Sequence, residues 1–96
     1  SVEDGKIAAR NTAIDMIATL QDACGGDLKR VKRIVKGLSL VNSTGDFTGH
    51  HLVTNGASEL LVDVFGDAGR HARSAFGVAQ LPTGAFLELE LIAEID

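Results

Sequence analysis

Tryptophan and tyrosine are absent from the 96 residues, and only four phenylalanines are present, so any core must be aliphatic. A single cysteine, Cys24, excludes an internal disulfide and suits a reducing compartment such as the cytoplasm. It stands just before Gly25-Gly26 and reads as a small buried hydrophobe rather than a nucleophile, since no His or Asp motif accompanies it. No apolar run approaches the roughly 20 residues of a membrane helix, and no signal-peptide pattern is visible. Positive charge is also scarce. The formal net charge of -4 argues against a nucleic-acid surface, which needs a basic face. The local exception is Lys29-Arg30-Val31-Lys32-Arg33 with Lys36. It reads as a solvated corner, with an RNA contact as the alternative. The three histidines do not make a metal site: His50 and His51 are adjacent, on what reads as a loop, and no Cys or acid motif joins them. Gly45-Asp46-Phe47-Thr48-Gly49 lacks the Lys-Ser/Thr element of a phosphate loop.

What is present is enough for one small domain, with 45% apolar residues. Ser1 followed by Asp4 resembles a helix cap. Ile7, Ala9, Ala13, Ile14, Ile17 and Leu20 then recur at helical spacing, which predicts a helix from about Val2 to Cys24, stopped by Gly25-Gly26. Val31 to Val41 reads as an interior strand, apolar on both faces toward its end. Asn42 to Asp46 is loop by composition, and Phe47 to Leu52 carries no clear period. Val53, Ala57, Leu60, Leu61, Val64 and Phe65 form an amphipathic stripe, predicting a second helix that ends at Gly66 to Gly69. Arg73 to Gln80 and Ala85 to Ile95 read as strands around a turn at Leu81-Pro82-Thr83-Gly84. In the last strand Leu87, Leu89, Leu91, Ala93 and Ile95 share one face, and Glu88, Glu90 and Glu94 the other. The order is helix, strand, helix, strand, strand, an α+β layer pair. Three strands are few for two helices, so further strands before Ser1 are expected.

Three segments carry a family resemblance: Ala72-Arg73-Ser74, then Val78-Ala79-Gln80-Leu81-Pro82, then Leu87-Glu88-Leu89-Glu90-Leu91-Ile92-Ala93. Their order and spacing resemble the YjgF/RidA family, also called the endoribonuclease L-PSP family. Asn55-Gly56-Ala57-Ser58 and Gly69-Arg70-His71-Ala72-Arg73 mark a distinct branch. The resemblance implies a chorismate-mutase-like fold, with two helices on one face of a mixed sheet and the last two strands not adjacent. It implies that residues 1–96 are the C-terminal two-thirds of one domain, without the family's N-terminal strands. It also implies a homotrimer with clefts between subunits, and cofactor-free hydrolysis of reactive enamines and imines. A non-catalytic module binding a keto acid or similar small carboxylate is the alternative.

Four residues carry the expected site. By the resemblance, Arg73 pairs with the substrate carboxylate, a task that suits a planar guanidinium. Main-chain groups near Ala75, which stands where many relatives have cysteine, hold the substrate nitrogen. Glu88 matches the glutamate that handles water. Asn55 approximates a cleft asparagine. The residue-level alternatives are an exposed or ion-paired Arg73, a solvated or interface Glu88, and a helix-start Asn55 bonding its own backbone. Glu90 reads as structural. The whole reading expects Arg73 and Glu88 to border one gap between protomers.

Overall fold

A computed structural model describes every residue from Ser1 to Asp96. Helix α1 spans Val2–Ala23. Ser1 caps it, its hydroxyl accepting from the Asp4 amide at 3.2 Å, and Glu3 and Asp4 lie in the favourable first turn. Gly25 and Gly26 end it with φ of 66° and 96°, while the Gly26 amide reaches back to the Gln21 carbonyl at 2.8 Å. Only glycine adopts such angles freely, so the paired glycines fix where the helix stops.

Strand β1 (Val31–Asn42) follows, then helix α2 (His50–Phe65), strand β2 (Ala72–Val78) and strand β3 (Leu87–Ile95). The sheet order is β2-β1-β3. The central strand pairs parallel with β2 and antiparallel with β3. A hairpin between β2 and β3 is thereby excluded, as the resemblance implied. A tight turn at Pro82–Gly84 lets the chain leave one edge of the sheet for the other.

Both helices cover one face, α1 over β3 and α2 over β1 and β2. Ala9, Ala13, Val41, Val53, Ala57, Leu60 and Leu87 form the main core, and Cys24, Val31, Ile34 and Leu61 a second cluster. Each such aliphatic side chain larger than alanine stabilises the fold by about 1.5–3 kcal/mol relative to exposure. The helices cross closely at Gly56, where an added Cβ would lie 2.1 Å from the Lys6 carbonyl oxygen. The second helix starts three residues before the apolar stripe does, so His50 and His51 lie in its first turn and not on a loop.

The opposite face of the sheet has no covering layer. Register places Ser74, Leu38 and Glu90 in one row across it, and Phe76, Leu40 and Glu88 in the next. Phe76 and Ile92 are about half exposed there.

Candidate functional site

The register fixes what each strand residue faces. Gly37 pairs with Arg73, Ser39 with Ala75 and Val41 with Gly77. Ser39 and Val41 are buried beneath the helices, so Arg73 and Ala75 share the helix-facing side. Arg73 is half-buried. Its Nη1 donates to Ser58 Oγ at 3.1 Å and its Nη2 to the His51 carbonyl at 3.2 Å. Both acceptors belong to α2, where residues 51 and 58, seven apart, lie two turns from each other on one side. All five ion pairs of the chain leave Arg73 out. The guanidinium is therefore aimed by two neutral acceptors, with no acid neutralising it.

A second set of contacts converges on the same hydroxyl. His71 Nε2 lies 3.0 Å from Ser58 Oγ, and His71 Nδ1 lies 2.6 Å from the Gly69 carbonyl oxygen. A carbonyl only accepts, so Nδ1 carries the proton, and in the neutral ring Nε2 accepts from Ser58. The ring lies close enough to the central strand that a Cβ at Gly37 would meet its Cδ2 at 3.4 Å. Ser58, Val62, Arg70, His71 and Arg73 line an open recess of about 260 Å³. Arg70 at its rim is exposed and pairs with Asp67 at 3.2 Å.

The remaining expected residues are distributed differently. Ala75 follows Arg73 on the same side of β2, an edge strand with one row of main-chain groups unpaired within the sheet. Asn55 lies in the second turn of α2, four residues after His51 and three before Ser58, and its side chain makes no hydrogen bond within the chain. The alternative of a helix-start cap therefore fails for Asn55. Glu88 pairs with Leu40 and lies on the uncovered face, bordering a separate recess of about 160 Å³ with Leu38, Leu40, Leu89 and Glu90.

Arg73 and Glu88 thus occupy opposite faces of the sheet, two strand spacings or roughly 10 Å apart laterally. Within one chain the two side chains do not meet, and their opposite faces count against the expectation that both border one gap between protomers. Only Arg73 of one copy and Glu88 of another can share a site. The cause is the intervening strand, whose register turns odd positions of β2 and of β3 toward the helices, leaving Glu88 outside.

A larger recess, about 370 Å³, lies elsewhere, among Ser1, Val41, Asn42, Ser43, Thr44, Phe47, Val53 and Phe86, and none of the four expected residues lines it. Beside it Asp46 is held below the ordinary carboxylate value, chiefly by the Thr44 hydroxyl donating at 2.7 Å. Two of the five cations of the basic run pair with the chain's own acids, and a third bonds main-chain carbonyls. Lys32 pairs with Asp96 at 3.8 Å, Arg33 with Glu94 at 3.3 Å, and Arg30 reaches the Cys24 and Asp96 carbonyls. That supports the solvated-corner reading over an RNA contact.

Residue patterns did not single out Ser58, and drew attention to His71 only as a metal candidate. The available signal was that both fall in the two segments marking the branch, Asn55 to Ser58 and Gly69 to Arg73.

Comparisons with known proteins agree with the geometry. A family described as "YjgF/chorismate_mutase-like, putative endoribonuclease" matches residues 1–95. Protein TCP17 of Trypanosoma cruzi is 48% identical over 97 residues, covering all of this chain and 60% of that protein. A crystal structure of an Agrobacterium tumefaciens protein of unknown function superposes with a TM-score of 0.98 at 42% identity, over 100% of this chain and 62% of the other. A Shewanella oneidensis crystal structure, named a "putative endoribonuclease", gives 0.94 at 34% identity, over 99% and 62%. The chain spans about three-fifths of the length of these relatives.

Proposed function

Since the chain belongs to the YjgF/chorismate-mutase-like family, we propose that it handles small carboxylates at Arg73 and hydrolyses reactive 2-imino or enamino acids there. The observation that carries this reading is the half-buried guanidinium held by Ser58 and the His51 carbonyl, without an acid of its own. Two of its five N–H donors are used, leaving three for a ligand. A carboxylate takes two of them in parallel, and supplies the missing negative charge. The neighbouring Ala75 carries only a methyl group, so substrate atoms beyond the carboxylate lie beside it, up to Gly77, where the His50 ring and the Ser43 hydroxyl fill the space a side chain would take.

The reaction needs no electron sink, because an imine carbon is already electrophilic. Positioning supplies most of the acceleration. Main-chain groups of β2 near Ala75 hold the nitrogen, and water adds to the carbon. Glu88 presents that water from a second copy of the chain. The uncovered sheet face, with Leu38, Leu40, Phe76 and Ile92, is the surface by which three copies join. Freshly generated imino acid, offered to the protein and to its Arg73→Ala variant, tests the proposal. Rapid keto-acid and ammonia release by the protein, with a loss of at least about 100-fold in the variant, is expected. Equal release by both ends this reading.

Binding without turnover is the second reading. It is favoured by Glu88 lying on the face away from Arg73, and by alanine at the position where many relatives have cysteine. Saturable keto-acid binding with no deamination identifies it. RNA cleavage, named in the family's description, draws less support, since the chain is acidic overall and no aromatic platform accompanies the basic run.

A further inference from the structure

We infer that Ser58 and His71 form the proton relay for the substrate anchored at Arg73, with Ser58 touching the substrate and His71 acting through it. The inference rests on the carboxylate-anchor reading of Arg73 and adds a proton carrier to it.

Imine hydrolysis sets the requirement. Water adds to the imine carbon, losing one proton from oxygen, while the nitrogen gains one to give a carbinolamine. The carbinolamine then loses its hydroxyl proton, the nitrogen gains another, and ammonia leaves as the carbonyl forms. Each step moves one proton from oxygen to nitrogen, and no oxidant or cofactor enters. A carrier must therefore accept a proton and return it a short distance away.

The Arg73 side of the sheet holds two Ser–His pairs at 3.0 Å, Ser43–His50 and Ser58–His71, and only the second touches Arg73. Ser58 Oγ lies 3.1 Å from Arg73 Nη1, so it stands beside any carboxylate on that guanidinium. Its proton points to His71 Nε2 at 3.0 Å. The Gly69 carbonyl, 2.6 Å from Nδ1, holds the ring in the tautomer whose Nε2 lone pair is available. As Ser58 takes the proton from oxygen, its own passes to Nε2. The reverse transfer delivers a proton to nitrogen and resets both groups. The Gly69 carbonyl also stabilises the transient imidazolium, as an acceptor on the far nitrogen does in serine hydrolases. Arg73 donates to the same Oγ, which steadies negative charge there while the proton is in transit. All three side chains open on one recess.

Steady-state kinetics of Ser58→Ala, His71→Ala and Arg73→Ala on a freshly generated imino acid test this. Relay variants are expected to lose about 100-fold or more in kcat with KM little changed. Arg73→Ala is expected to lose carboxylate affinity. Free imidazoles are expected to restore His71→Ala, with rates rising with the basicity of the imidazole, and to leave Ser58→Ala unrestored. A filled cavity would restore the fold without that dependence on basicity. Wild-type kcat in His71→Ala, with Arg73→Ala inactive, overturns the relay and leaves the anchor standing. Absence of turnover by the unaltered protein overturns both.

Discussion

Thr54 has one hydroxyl proton and faces two oxygens, the His50 carbonyl at 2.8 Å and Ser39 Oγ at 2.9 Å. The carbonyl can only accept, so Thr54 donates to it and Ser39 donates to Thr54. Both side chains are buried. Thr54→Val removes the acceptor and strands the Ser39 hydroxyl, which costs about 1–3 kcal/mol. Adding Ser39→Ala is expected to recover much of that loss, measurable by denaturant unfolding of the single and double variants. The residue scale also divides what sequence could and could not disclose. Arg73 was legible because a short motif surrounds it, and the acid-bearing side of β3 because alternation is a local property. That Glu88 faces away from Arg73 was not legible. It depends on how two separate strands register against β1, and each pairing joins residues dozens of positions apart. The Ser58–His71 pair was hidden for the same reason, since a helix and a strand start must meet to form it.

Elements were easier to read than their contacts. The first helix ends where its paired glycines require. The second begins earlier than its apolar stripe, and its start was hidden because Gly49 offers no capping side chain and His50, His51 and the exposed Leu52 fall outside the stripe. What no pattern announced is how tightly the two helices cross. Gly56 is helical, so alanine there gains about 1 kcal/mol in intrinsic preference. Its methyl would sit 2.1 Å from the Lys6 carbonyl, however, against backbone that cannot rotate away. Overpacking of this kind costs about 1–3 kcal/mol or more, so the clash wins. Gly56→Ala is expected to lower the unfolding midpoint, whereas the same change at Gly45, which has open space, should leave it nearly unmoved.

At the scale of the whole molecule, the uncovered face decides what a functional unit is. If Arg73 and Glu88 meet only between copies, a mixture of Arg73→Ala and Glu88→Gln proteins, unfolded and refolded together, regains activity that neither has alone. Random mixing leaves about one site in four with both native residues. No recovery would mean that Glu88 takes no part across the interface. The sheet order has a further consequence, for biosynthesis. The central strand emerges from the ribosome long before either flank, and Val31 must wait for Ile95 to be made before it finds its partner. Until then one side of β1 stays open beside a nascent apolar hairpin of helices, in a state that invites pairing with other chains. Translation speed over the last strand, and any chaperone that shields the waiting edge, therefore govern how much of the product reaches its native state.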